Sequence, residues 1–250
     1  ICGNILRIIR ITSLTVTVCM RTENTGLSAI TVRPMAIRIS PWPLPIPATA
    51  HFPVWGWGLT WAPFGITAKS LLFNSPLPIT GLPYKQSSFQ MGPGADTWEI
   101  LQTSIGQGTT QVTPMHNAMI TAAIANGGTL MKPYFLNSVE TAGGEEIKKF
   151  MPASYGSLMT AGEAEGLTEL MRTVVTEGTG SAVRTDAYTV AAKTGSAEFE
   201  TGKETHAWFT GFAPVENPKL VVTVLVEEGG SGGKAAAPIA RQLFDIYMAR

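Results

Sequence analysis

Lys193-Thr-Gly-Ser196 gathers four residues suited to acyl transfer on a substrate that carries a carboxylate. Lys193 brings a fixed positive charge, and the Thr194 hydroxyl can hydrogen-bond a carboxylate. Gly195 lets a ligand approach the backbone, and the Ser196 N–H can face a developing oxyanion. Lys193 and Ser196 are therefore the candidate catalytic residues, and Thr194 and Gly195 the candidate substrate-binding residues. Each role depends on its neighbour, so an extended edge must present all four together. A tripeptide such as Lys-Thr-Gly also arises by chance, and the alternative reading is a surface hairpin with a solvated lysine.

The elements that would position the motif are legible around it. Tyr188 to Lys193, His206 to Phe212 and Leu220 to Glu227 are β-rich runs separated by Gly and Pro, which predicts an antiparallel set of strands with the motif at the end of the first. Pro114 to Asn126 has helical spacing and stops at Gly127-Gly128, where glycine takes the left-handed conformation without steric cost. Thr160-Ala-Gly-Glu163 has the form of a capping box and opens a helix through Val175. Pro238 to Met248 reads as a last helix, apolar at Ile239, Leu243, Ile246 and Tyr247 and suited to pack on the sheet. Helices laid on an antiparallel sheet make an α+β fold.

Composition limits the remaining choices. Eighteen basic residues balance eighteen acidic ones, so no overall field favours nucleic acid. Cys2 and Cys19 are too few for a disulfide framework, and His51, His116 and His206 have no metal-ligand spacing, so neither metal nor cofactor is expected. The charge is unevenly placed. Before Asp96 stand seven basic residues but one acidic residue, Glu23, and the same region holds the run Pro41-Trp-Pro-Leu-Pro-Ile-Pro47 and Trp55, Trp57 and Trp61. It has no helical or strand periodicity, and it is too apolar for an ordinary linker. Residues 1–70 are thus an anomalous segment, frameshifted or disordered, and 71–250 the ordered part.

Beyond the motif, Ser104-Ile-Gly-Gln-Gly108, Val112-Thr-Pro114, Gly127-Gly-Thr-Leu-Met-Lys-Pro133, Val175-Thr-Glu-Gly-Thr-Gly-Ser-Ala182 and His206-Ala-Trp-Phe-Thr-Gly-Phe-Ala-Pro214 stand in an order that resembles the penicillin-binding protein family, in particular its monofunctional class B transpeptidases. The resemblance covers about Leu71 to Arg250. It implies the incomplete fold of that family and of the serine β-lactamases, with peptidoglycan stem peptides and β-lactams as ligands. Cell-wall synthesis or division proteins would be its partners, at the extracytoplasmic face of the cell membrane. A β-lactamase or a D-alanyl-D-alanine carboxypeptidase shares the Lys-Thr-Gly strand, but the Ser104 to Pro133 block is closer to the transpeptidases.

The family's other two motifs do not carry over. No Ser-x-Asn occurs in the 250 residues, and the one Ser-x-x-Lys, Ser231-Gly-Gly-Lys234, follows the Lys-Thr-Gly motif instead of preceding it. In a glycine-rich loop nothing would hold that lysine against that serine. The chain as written is therefore expected to lack a nucleophile and to form no covalent penicillin adduct, which leaves a non-catalytic binding module as an alternative. With the usual helical partner missing, the isolated chain is also expected to fold poorly. Reading the odd region one frame over permits Ser-Cys-Asn-Ser across Ile46 to Ala50 and recovers acids by Lys69. Residues from about 30 to 69 are therefore expected to be a frameshift product. Stop codons in that frame of the coding DNA would exclude it.

Overall fold

The computed structural model describes residues 6–11, 14–21, 61–79, 83–134, 136 and 138–249. In chain order the elements are β1 (Leu6–Ile11), β2 (Leu14–Arg21), α1 (Trp61–Ser70), α2 (Thr97–Ser104), α3 (Pro114–Ala125), β3 (Thr129–Met131), β4 (Ser138–Glu140), β5 (Glu146–Lys149), β6 (Ser154–Ser157), α4 (Ala161–Thr176), β7 (Ala191–Ala197), β8 (His206–Ala213), β9 (Leu220–Val226) and α5 (Ala237–Met248). A π-helical turn, Gly232–Ala236, leads into α5. Residues 22–60, which include the Pro- and Trp-rich run and the position of the alternative-frame Ser-x-Asn, lie outside the described residues. Within 1–70, β1, β2 and α1 are described.

The main sheet has the order β1-β2-β9-β8-β7. As expected, β7 pairs antiparallel with β8 and β8 with β9. The sheet is larger than the three strands anticipated: β2 runs parallel to β9, and β1 closes the far side antiparallel to β2. Pairing also moves the motif strand. Lys193 opposes Thr210 and Ser196 opposes Ala207, so β7 runs through the motif instead of ending at it. Tyr188, expected in this strand, lies before it. Its hydroxyl donates to Asp245 Oδ1 at 2.6 Å and its ring lies 6.3 Å from that of Phe244, which ties it to α5.

Alternation along the strands gives the sheet two unlike faces. On one, Ala192, Phe209, Val222 and Val224 meet Ala237, Ala240 and Phe244 of α5. Phe244 is fully buried and contributes about 1.5–3 kcal/mol by removal from water. Ile246, expected on this stripe, is 60% exposed. Ile239, Leu243 and Tyr247 pack against this core as expected, but its fully buried centre is Ala237, Ala240 and Phe244, because small alanines carry little apolar signal yet let helix and sheet approach closely.

The other face receives α3 and α4, where Ala118, Ala122 and Met171 pack on Ala191, Phe212 and Val221. Nearer α1, Ala68, Phe73 and Val112 cover Ala197, Trp208 and Leu225. Between these apolar patches a chain of hydroxyls joins helix to sheet. Thr121 Oγ1 donates to the Asn117 carbonyl at 2.9 Å and lies 2.7 Å from Thr210 Oγ1, which lies 2.7 Å from Thr223 Oγ1. Thr121 and Thr223 are buried.

The helix limits follow the sequence closely. Thr113 caps α3 by accepting from the His116 N–H at 3.2 Å, with Pro114 at the first position, where its missing N–H leaves nothing unsatisfied. At the other end Gly128 has φ +90°, and a Cβ there would lie 2.2 Å from the Met159 carbonyl oxygen, so only glycine fits. The capping box of α4 is present: Thr160 N–H donates to Glu163 Oε2 at 2.7 Å and Glu163 N–H to Thr160 Oγ1 at 3.3 Å. Met119 is buried with Met115 packed against its cluster, and Met131 packs against that of Ala118 and Phe212, where their flexible side chains fill gaps. His116 is buried, because α3 turns it toward Leu71 and Phe73. Its Nε2 lies 2.7 Å from the Leu71 carbonyl oxygen, and its ring centroid 4.9 Å from that of Phe73. Trp208 is a core residue, whereas Trp98 is 69% exposed on the short helix α2.

Candidate functional site

Lys193 to Ser196 lie on β7, which ends the main sheet and is paired on one side among the described strands. The structure brings the four candidate residues onto one edge, but not onto one face. Lys193 and Gly195 share the face of Thr210 and Trp208, while Thr194 and Ser196 share that of Phe209 and Ala207. A ligand lying along the edge can therefore meet side chains from both faces and backbone groups between them. Lys193 Nζ donates to the Thr194 carbonyl at 2.7 Å, which holds the ammonium beside the strand. Thr194 is only 6% exposed, so its hydroxyl is a directed group and not a solvated one.

Two neighbouring segments support this edge. Gly178 and Gly180 pack against Val174 at the end of α4, and the Gly180 N–H donates to the Val174 carbonyl at 2.9 Å. This tight reversal puts Thr179 Oγ1 2.5 Å from Thr194 Oγ1. In the sequence the only signal for Thr179 is its place in the Val175 to Ala182 segment. The second support is the π-turn. A Cβ on Gly232 would stand 2.4 Å from the Gly195 carbonyl oxygen and 2.9 Å from its nitrogen, so turn and motif strand touch backbone to backbone.

The same turn contains Ser231-Gly-Gly-Lys234, which is not the open loop expected. Ser231 is its N-cap residue, and its carbonyl accepts from Lys234 N–H at 3.1 Å and Ala235 N–H at 2.9 Å. No hydrogen bond joins the Ser231 and Lys234 side chains, so the turn does not make them a nucleophile and base. The loop after β9 is fastened to the start of β8. Glu228 N–H donates to His206 Nδ1 at 2.8 Å, Gly230 N–H to the Thr205 carbonyl at 2.8 Å, and Thr205 Oγ1 to the Gly230 carbonyl at 2.7 Å. His206 is thus structural: it is buried, stacks on Phe199 at 3.8 Å and accepts at Nδ1. Among the described residues no cluster of His, Cys, Asp and Glu could hold a metal ion, and no helix is long and apolar enough to cross a membrane.

Helices on a largely antiparallel sheet whose outer strand carries Lys-Thr-Gly-Ser define the α+β class of the serine enzymes that bind penicillin. Comparison with known proteins narrows the class. The penicillin binding protein transpeptidase domain matches residues 75–245. Peptidoglycan D,D-transpeptidase PbpA of Mycolicibacterium smegmatis is 34% identical over 194 residues, 74% of this chain and 39% of that protein. Among solved structures, the ceftriaxone acyl-enzyme complex of penicillin-binding protein A from Mycobacterium tuberculosis has a TM-score of 0.65 at 35% identity, covering 72% of this chain and 41% of that one. The D,D-transpeptidase domain of a peptidoglycan glycosyltransferase from Eggerthella lenta reaches 0.71 at 27% identity, covering 79% and 51%. The chain belongs to the penicillin-binding protein transpeptidase family, and its relatives are of the class B kind. It spans about two fifths of the length of the PbpA relatives it matches.

Proposed function

We propose that β7 is one wall of a peptidoglycan D,D-transpeptidase groove, in which an extended stem peptide, or a β-lactam in its place, lies along Lys193 to Ser196. Lys193 supplies the positive field for the ligand carboxylate, Thr194 a hydroxyl to bond it, and Gly195 backbone access. The Ser196 N–H is one oxyanion donor. The observation that carries this reading is the placement of all four residues on a strand whose outer edge is unpaired among the described residues. The relative crystallised as a ceftriaxone acyl-enzyme supports the ligand class. Other cell-wall synthesis proteins would be its neighbours, at the outer face of the cell membrane.

These 250 residues would bind the ligand without being acylated. No Ser-x-x-Lys precedes the Lys-Thr-Gly motif, and Lys193 with an oxyanion donor cannot replace an attacking hydroxyl. That same gap favours a non-catalytic module as the second reading for the chain as written, over a related serine hydrolase. Fluorescent penicillin separates the possibilities. The expected outcome is saturable binding by anisotropy with no adduct surviving denaturing electrophoresis. A stable adduct would show that a serine of this chain is the nucleophile and would overturn the unacylated reading; absence of any binding would overturn the groove itself.

A further inference from the structure

We propose that Thr179 is a positioning residue that aims the Thr194 hydroxyl at the ligand carboxylate, an inference that rests on the groove reading above. A threonine hydroxyl has one proton to give and lone pairs to receive others. The Thr179 and Thr194 hydroxyls lie 2.5 Å apart, and either could donate. If Thr194 donates to Thr179, its proton is spent and its oxygen turns lone pairs toward an arriving anion. If Thr179 donates to Thr194, the Thr194 proton is released to point outward, and its oxygen, already receiving one bond, becomes the better donor. A carboxylate at the edge selects the second arrangement, because a hydrogen bond to a charged acceptor is about twice as strong as a neutral one.

Three features make Thr179 suited to this task. Thr194 is only 6% exposed, so few groups can reach its oxygen to set its rotation, while Thr179 is exposed and has its hydroxyl against that of Thr194. The glycines on either side let the chain turn back on Val174, which fixes where Thr179 stands: a Cβ at Gly178 would lie 2.9 Å from the Val174 carbonyl oxygen and one at Gly180 3.1 Å from it. The π-turn closes over it from the other side, since a Cβ on Gly233 would lie 2.6 Å from the Thr179 carbonyl oxygen. The end of α4, the motif strand and the π-turn thus converge on one hydroxyl pair.

The test compares a fluorescent penicillin carrying its free carboxylate with its methyl ester, by anisotropy, on the unsubstituted chain, Thr179→Val and Thr179→Ser. Thr179→Val keeps the shape and removes the hydroxyl, and it is expected to weaken the free acid by about tenfold while leaving the ester within about twofold, the scale of one bond to a charged group. Thr179→Ser, which keeps the hydroxyl, is expected to restore acid binding. Equal binding of the acid by Thr179→Val and the unsubstituted chain overturns the proposal, and so does an equal loss for acid and ester, which marks a purely structural role. If the unsubstituted chain binds neither probe, the groove reading fails and this inference with it, an outcome distinct from the other two.

Discussion

The two faces of the main sheet are built on different principles. Toward α5 the centre of the contact is apolar, with Phe209 and Val224 against Ala240 and Phe244, and hydroxyl bonds appear only at its margins, from Tyr188 to Asp245 and between Thr194 and Thr179. Toward α1 and α3 the apolar contact is interrupted by the Thr121, Thr210 and Thr223 hydroxyls and by His116, and Lys193 emerges on this side at the outer strand. Apolar packing is non-directional and tolerates change that conserves volume, whereas hydrogen bonds demand one register. The structure therefore separates adhesion from alignment: one face holds the sheet down, and the other fixes where α3 must sit across β8 and β9.

The largest effect should come from the adhesive face. Phe244→Ala is expected to cost about 3–5 kcal/mol in denaturant unfolding, against less than about 1.5 kcal/mol for Phe244→Leu, which keeps most of the volume. Similar costs for both would mean that shape, and not burial, governs this face.

On the aligning face the cost should depend on which hydroxyl is removed. Thr121 must give its proton to the Asn117 carbonyl, which can only accept, so Thr210 must donate to Thr121 and Thr223 to Thr210. Thr121→Val strands the proton of the part-buried Thr210 and is expected to cost about 1–3 kcal/mol, whereas Thr223→Val removes only the first donor of the series and should cost less. Equal costs in the same unfolding assay would deny the order.

A subtler difference should appear with pH. Burial, the main cause, holds the His116 pKa below its usual value, and the bond to the Leu71 carbonyl opposes this only in part. With Nε2 donating to Leu71, a second proton would go to Nδ1, which is buried without a partner among the described residues. Because the unfolded chain takes up that proton more readily, stability should be fully present above the unfolded histidine value of about 6.5 and decline as pH falls from there toward the folded value. His116→Gln should flatten that part of the profile relative to the unsubstituted chain; an unchanged slope would place the titrating group elsewhere.

Features set by local chemistry were the most legible in the sequence. Thr113-Pro114, Gly127-Gly128 and the Thr160/Glu163 box each end a helix through neighbouring atoms, and the limits of α3 and α4 matched them. The motif strand and its two partners were also readable from β-branched runs between turns. Tertiary partners were not: the burial of His116 depends on Leu71, 45 residues away, and the motif's place within β7 depends on pairing with β8. Alanine hid the buried centre of the α5 stripe, and a glycine-rich stretch hid a π-turn. Thr179 escaped notice because a hydroxyl between two glycines looks like any loop until the strand it meets is known.

The glycine contact behind the motif has a mechanical consequence. Where Gly232 meets Gly195 there is no rotamer to swing aside, so a ligand pressing on the outer edge of β7 is opposed by main chain on main chain. Induced fit at this wall should therefore be small, and any widening of the cleft has to come from whatever stands opposite.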